Sequence, residues 1–406
     1  MSKRINRVEE RKNIKRNHII NKIRFGTEIS RYELQKLTNY SMTTVLNIVE
    51  QLIKDGLVSE KISKENVPGR PPTWLYIKPN GAYSIGIDFN ANSMNGVLLD
   101  FSFSTVKHIS RNIDKDASKS DLINSIKNII DDLINSLGKN KNRLIGIGIG
   151  LPGLIDRNKG IGINYAYLDS WRDVPIKSIL ENKYGCPVSV ENNVNTMAIA
   201  YRWQNFASKA DDFILMTVRY GVRLGMFVNN KLYIGSGNAG EIGHVKLNGS
   251  TRQCSCGKIG CLDSEASGRA IKEKVLSGIS EGRFKNLAAL LDGDMNNFRN
   301  QMVVDLALKG DKECSALISE VSNYLAKSLS FVIGALNPSR AIITSKTGLG
   351  ENYFSNLVKS ELEQVIDKKL LENCLVESVK VDDDISAVGA AFMILQSEFE
   401  FIEEYV

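Results

Sequence analysis

No apolar run in this chain is long enough to cross a bilayer. The longest, Leu144–Ile155, is broken by four glycines and falls short of the roughly 20 residues a spanning helix needs. The N-terminal stretch is charged throughout and has no apolar leader core. Short-period repeats and low-complexity segments are absent, which sets aside solenoids and fibrous chains. Cysteine is sparse, with six in 406 residues. Six thiols without a leader point to a reducing cytoplasm rather than a disulfide framework, and no membrane partner is expected. What remains is a globular chain, 43% hydrophobic and 24% charged, long enough for two or three domains.

Charge is unevenly placed. Residues 1–80 carry a net charge of +8 and the remainder −2. A basic head on a near-neutral body suggests contact with nucleic acid. The head reads as helices. A basic helix is expected over Arg11–Arg24, with Ile14, Ile19, Ile20 and Ile23 as its apolar positions. Ser30 and Glu33 form a capping box for Arg31–Leu37. Asn39 suits a tight turn, and Ser41 caps a longer helix, Met42–Asp55, ended by Gly56. This is the helix-turn-helix plan, whose second helix enters the major groove. Ser41, Thr43, Thr44 and Asn47 are its candidate DNA-binding residues. Leu57–Lys61 and Trp74–Ile77 read as the strands of a wing. Arg70, held extended among prolines, is placed to enter a minor groove. Helix-turn-helix proteins usually read two half-sites, so a homodimer is expected.

From residue 82 strands and helices alternate, the pattern of an α/β body. Strands are expected at Tyr83–Phe89, Asn95–Phe101, Leu144–Gly150, Pro187–Glu191, Phe213–Tyr220, Met226–Val228 and Ala341–Thr344. Helices are expected from Ser120 to about Leu137, from about Thr196, over Cys314–Leu336 and over Ala387–Gln396. A body of this size should form two lobes.

One stretch concentrates chemistry. Gly240–Cys261 holds His244, Cys254, Cys256 and Cys261. A Cys₃His set fits a closed tetrahedral zinc site, one structural ion per chain. Gly257 and Gly260 permit the sharp turns such a loop needs. A disulfide would leave one of the three thiols unpaired.

The GExGH and CxCGxxGC spacing of this stretch resembles the zinc signature of the ROK family of repressors and sugar kinases. The body resembles that family throughout, and residues 1–80 resemble the winged helix of its repressors. The strand opening Tyr83-Ser84-Ile85-Gly86-Ile87-Asp88, with Asn95-Gly96, looks closest to its xylose-repressor branch. The resemblance implies an actin-like, ribonuclease H-like, two-lobed sugar-binding body behind the winged helix. The expected division is 1–80 for the DNA-binding domain and linker, 81–194 plus 387–406 for the first lobe, and 195–386 for the second, with the zinc loop and dimerisation helices. It also implies sugar contacts from Asn192, Asn193, Glu241, His244 and Asp263. Asp263 stands where Glu is usual, and Tyr167 where Asn is usual.

The kinase members of that family need phosphate loops and a catalytic carboxylate, and this chain departs at each place. Asp88–Asn92 lacks the glycines of the first loop. Arg219 and Arg223 replace glycines of the second. Ser345-Lys346 stands for the nucleoside-binding glycines. Asn193 replaces the aspartate base, and an amide cannot take a proton. No catalytic residue and no ATP are expected. The expectation is a cytoplasmic DNA-binding regulator, a repressor of carbohydrate genes with xylose genes as one candidate set, and with operator DNA and a small sugar effector as partners. The alternatives are a sugar kinase and a regulator that has lost sugar sensing.

Overall fold

The computed structural model describes residues 7–26, 28–62, 72–90, 92–114, 116–204, 212–247, 249–344 and 351–400. Arg70 and Ser345-Lys346 lie outside these residues.

The head holds α1 (Arg7–Phe25), α2 (Arg31–Thr38) and α3 (Met42–Lys54), then an antiparallel pair, β1 (Val58–Ile62) and β2 (Thr73–Ile77). Local chemistry sets the helix limits. The Ser30 side chain accepts from Glu33 N–H while the Glu33 carboxylate accepts from Ser30 N–H. Asn39 then turns the chain in the left-handed region at φ 55°. Ser41 caps α3, accepting from Thr44 N–H. Val45, Ile48, Val49 and Leu52 line the buried face of α3, against Ile19, Ile20, Ile23 and Leu34 in the head's core. Ile14, expected on the apolar side of α1, is 43% exposed, one turn before the buried stretch begins.

The body runs β3 (Tyr83–Phe89), β4 (Ser93–Asp100), β5 (Thr105–Asn112), α4 (Lys119–Ser136), β6 (Leu144–Leu151), β7 (Leu154–Asp156), β8 (Ile161–Asn164), β9 (Arg172–Val174), α5 (Ile176–Tyr184), β10 (Val188–Asn192) and α6 (Asn193–Gln204). It continues with β11 (Phe213–Val218), β12 (Val222–Val228), β13 (Lys231–Leu232), α7 (Leu262–Ala266), α8 (Gly268–Ser280), α9 (Lys285–Leu291), α10 (Asn300–Leu308) and α11 (Lys312–Leu336). It closes with β14 (Arg340–Thr344), α12 (Glu351–Val365), α13 (Lys368–Glu372), β15 (Leu375–Val379) and α14 (Ile385–Phe399).

Two compact units result. One holds Met1–Leu151, Pro175–Glu191 and Ala387–Val406, and the other Pro152–Val174 and Asn192–Ser386. Residues 152–174, drawn with the first lobe from sequence, fall in the second unit, where β7, β8 and β9 build a separate small sheet. Each unit is organised on a five-stranded sheet, β10-β6-β3-β4-β5 in one and β13-β12-β11-β14-β15 in the other. Numbered along the chain within each sheet, and read from the β5 edge and the β13 edge, both run third, second, first, fourth, fifth. The first strand pairs antiparallel with the second and parallel with the fourth in both. The body is therefore two copies of one α/β plan.

In the first unit α14 lies directly on β3 and β6. A Cβ at Gly86 would stand 1.8 Å from the Ala387 carbonyl oxygen, and one at Gly148 1.9 Å from that of Ala390. Glycine on the strands and alanine on the helix are what bring the two backbones together. The capping serine of α4 is Ser118 rather than Ser120, because Ser118 and Asp121 complete a reciprocal box.

The head is fastened to this same unit. Arg24, near the end of α1, donates to the Phe101 carbonyl and lies over the rings of Phe101 and Phe103 at 4.4 and 3.9 Å. Burial pushes its pKa down to about 9, and the nearby Asp100 works the other way. The Asn21 amide donates to the Glu400 carbonyl, and the Phe101 ring packs on Phe399. From the body, Arg143 donates to the carbonyls of Asp55 and Gly81.

Candidate metal and ligand-binding site

Four potential metal ligands converge in the second unit. His244 ends a single 3-10 turn, Ile242–His244, and Cys261 precedes α7. The loop between them doubles back through bridges pairing Lys246 with Cys261 and Gln253 with Ile259. Its turns pass through Gly257 and Gly260 at φ of +86° and +84°, a region side chains avoid. His244 Nδ1 lies 3.7 Å from Cys254 Sγ, and Cys256 Sγ lies 3.7 Å from Cys261 Sγ. All four ligand atoms fall within 4.8 Å of one another. A tetrahedron with Zn–S bonds of about 2.3 Å has S···S edges of about 3.8 Å, so the donors fit a metal of that size. The sulfurs are too far apart for a disulfide, and all six cysteines are free thiols.

The thiols already share protons unevenly. Burial raises Cys256, but the Lys258 backbone and the neighbouring thiols outweigh it and hold it below its ordinary value. Burial and the same neighbours push Cys261 up to about 12. A bound dication would favour thiolate at every position.

The other ring nitrogen of His244 faces the second half of the site. Arg223 on β12 places Nη2 3.3 Å from His244 Nε2, Nε 2.7 Å from Glu241 Oε2 and Nη1 3.0 Å from Asp263 Oδ2. Asp263 is fully buried on α7 and also accepts from Val222 N–H at 2.7 Å. Gly243 makes room for the pair, since a Cβ there would stand 2.1 Å from Arg223 Nη1 and 2.2 Å from Asp263 Oδ1. Burial opposes the charge on Arg223, but Asp263 and Glu241 hold it above its ordinary range. Burial likewise raises Glu241, offset by Arg223.

An aromatic wall adjoins this group. Tyr167 donates to the Tyr220 carbonyl at 3.1 Å, and its ring lies 5.3 Å from Tyr165 and 5.8 Å from Tyr220. The Arg269 guanidinium lies over Tyr167 at 5.5 Å.

The structure therefore brings Glu241, His244 and Asp263 into one group around Arg223. Asn192 has a different surrounding. Its side chain donates to the Gly153 carbonyl and accepts from Val194 N–H, closing the start of α6. Asn193 is the first residue of α6, and its carbonyl accepts from the Thr196 hydroxyl. Sequence reasoning noted Arg223 only as a lost glycine and passed over Arg269 and Tyr220 as site residues. β12 begins at Val222 rather than at Met226. The alternation Val222, Leu224, Met226, all buried, was the available signal.

The first would-be phosphate loop is closed on itself. Asn90 Oδ1 accepts from Asn92 N–H and Ser93 N–H, each at 3.1 Å, and its Nδ2 donates to Asp88. Among the described residues of this loop, the Asn92 and Ser93 amides are thereby already in use. At the second, Val222 N–H is held by Asp263 and Arg219 N–H by the Gly221 carbonyl.

In the head, Thr43 and Asn47 are exposed one turn apart on α3, on one face. Ser41 and Thr44 are joined by their hydroxyls at 2.8 Å, which commits both to the cap.

A family model described as "ROK family" matches residues 84–397. Among curated proteins, a xylose repressor of Caldicellulosiruptor bescii is 29% identical over 384 residues, covering 92% of this chain and 94% of the relative. A crystal structure described as a ROK family transcriptional regulator, homolog of the E. coli MLC protein, superposes with a TM-score of 0.81 at 20% identity. It covers 96% of this chain and 97% of its own. A ROK family glucokinase from Streptomyces griseus, with glucose and AMPPNP, superposes with a TM-score of 0.68 at 22% identity. The match takes in all of the kinase and 78% of this chain.

Proposed function

The chain belongs to the ROK family, and on that premise we propose that it is a DNA-binding transcriptional regulator. It represses carbohydrate-utilisation genes, with a sugar as the releasing effector and xylose as the first candidate. It works in the cytoplasm, as a homodimer, and is not an enzyme. The observation that carries this reading is a winged helix joined to a body in which the Asn92, Ser93, Arg219 and Val222 amides of the two phosphate loops are spent internally. Phosphoryl transfer depends on positioned donors, a metal and often a base. Asn193 offers no base, and Asn90 and Asp263 occupy the backbone amides a nucleotide would need. Regulator and kinase relatives share the fold, so fold alone does not separate them. The two repressor-like features, an added head and degraded loops, do.

On this reading Thr43, Asn47 and Arg70 meet DNA, while Ser41 and Thr44 shape the end of the recognition helix. Glu241, His244 and Asp263, with Arg223 among them, form the effector pocket, and Asn192 and Asn193 flank it. Zinc is the structural ion, held by His244 Nδ1, Cys254, Cys256 and Cys261. It fixes the imidazole so that Nε2 faces the pocket.

Two assays on the full chain test this. Promoter fragments of sugar-utilisation genes should be retarded by the wild-type chain, and Asn47→Ala should change which base is preferred at one position. A coupled assay with ATP and a panel of pentoses and hexoses should show no sugar-dependent turnover. Clear turnover would establish the kinase instead. Retardation that no sugar relieves would leave a regulator without a sensor.

A further inference from the structure

Arg219 and Arg269 share an arrangement that the regulator reading does not use. In each, both Nε and Nη2 are buried and have no hydrogen-bond acceptor among the described residues. These two nitrogens form the edge of a guanidinium that meets a carboxylate or phosphate with two parallel hydrogen bonds. The remaining nitrogen of Arg269, Nη1, lies 3.4 Å from Glu273, so its paired edge is the part left over. Arg219 makes no ion pair among the described residues. The two residues are close along the backbone, since the Gly268 N–H donates to the Arg219 carbonyl at 2.7 Å. Arg269 follows at the start of α8, where backbone N–H groups favour negative charge.

We infer that Arg219 and Arg269 form an oxyanion subsite, and that the effector is a carbohydrate carrying a carboxylate or phosphate. The inference rests on the effector reading of the neighbouring pocket and moves its candidate from neutral xylose to an acidic or phosphorylated sugar. Arg269 lies over Tyr167, and two residues before it the Ser267 hydroxyl donates to the Asp263 carbonyl. Arg269 therefore borders the group formed by Glu241, His244 and Asp263. Arg223 has two carboxylates as partners, and that half of the site needs no further anion. Arg219 has none. A neutral hydroxyl offers one acceptor oxygen and brings a donor of its own. A guanidinium edge has donors only. Two oxygens on one carbon or phosphorus match it, and a single sugar hydroxyl does not.

The test is calorimetry at constant ionic strength on the full, metal-loaded chain. The probes are D-xylose with D-xylonate, and D-glucose with D-glucuronate and D-glucose 6-phosphate. At least one acidic form should bind tenfold or more tightly than its neutral parent. Arg219→Gln and Arg269→Gln should each remove that preference, and Arg269→Lys, which keeps the charge but loses the two-pronged edge, should remove most of it. Preference for the sugar acids assigns the oxyanion as carboxylate, and preference for the sugar phosphate assigns it as phosphate. Equal binding of acid and parent, or no binding of any acid, overturns the inference without reference to a variant. So does a preference that survives in the folded Arg219→Gln chain. Operator retardation on the same preparation separates the two failures. Retained retardation with no acid preference defeats only the subsite, whereas absent retardation counts against the regulator reading.

Discussion

Arg223 holds His244, Glu241 and Asp263 together through the reach of one guanidinium. It ties a strand, the turn carrying Glu241 and the helix carrying Asp263. Removing it leaves a fully buried aspartate beside a mostly buried glutamate. Breaking a buried pair from one side costs about 3–5 kcal/mol. Arg223 keeps 17% of its side chain exposed, which favours the lower end. Arg223→Ala should lower the urea midpoint by an amount equal to about 3 kcal/mol, and adding Asp263→Asn should recover part of it. A single variant as stable as the wild type would show that the carboxylates do not depend on Arg223. None of this was readable along the chain. Glu241 and Asp263 stand far from Arg223 in sequence, and an arginine in a glycine-rich motif says only that the motif is broken. The convergence of the His/Cys cluster was readable, because four potential donors in eighteen residues form a local pattern. Cys256→Ser should reduce bound zinc from about one ion per chain and destabilise the loop, since metal affinity and loop folding are linked. Zinc content and thermal midpoint measured on one sample will show whether both fall. Metal unchanged in the variant would remove Cys256 from the ligand set.

At the scale of elements, the head was the most legible part of the chain. Capping residues act through neighbours three positions away, so Ser30, Glu33, Asn39 and Ser41 could be placed from sequence. β5 escaped notice because its residues are mostly exposed and carry no apolar alternation. α4 was placed two residues late because Ser118 and Ser120 are equivalent until Asp121 selects the first. The head also contains a pH-dependent contact. His18 on α1 is buried, its Nδ1 is 2.9 Å from the Tyr40 hydroxyl, and its ring meets Tyr40 edge-on. Burial, then Lys22, holds its pKa below the ordinary value near 6.5. The folded head thus binds a proton less readily than the unfolded chain. Its stability is complete above about pH 6.5 and declines as pH falls through that value toward the lower folded one. Melting followed between pH 7.5 and 5.5 should show this loss, and His18→Gln should flatten the profile. Equal slopes in the two proteins would rule out His18 as the source.

At the scale of the whole molecule, the proposed DNA and effector binding would form a thermodynamic cycle. If a ligand weakens operator affinity tenfold, the coupling is about 1.4 kcal/mol, and operator DNA must weaken that ligand by the same factor. Titrating ligand into the chain with and without operator should give this tenfold ratio in both directions. Unequal factors would mean that a third species, such as a change in oligomeric state, enters the cycle. The duplicated α/β plan of the body was legible only in part. Alternating strands and helices gave the class, but the matching strand order of the two sheets emerges only once the pairing is known.

The fastening of the head bears on how such regulators can be recombined. Sequence places a boundary near residue 80, which invites swapping heads between relatives at that point. Arg24 and Arg143 cross that boundary in opposite directions, one reaching Phe101 and Phe103, the other reaching Asp55. A head transplanted alone arrives with a buried arginine cut off from the Phe101–Phe103 socket, and leaves behind an arginine that has lost the Asp55 carbonyl. The exchangeable cassette is therefore discontinuous: the winged helix together with the Phe101–Phe103 turn, Arg143 and the end of the last helix.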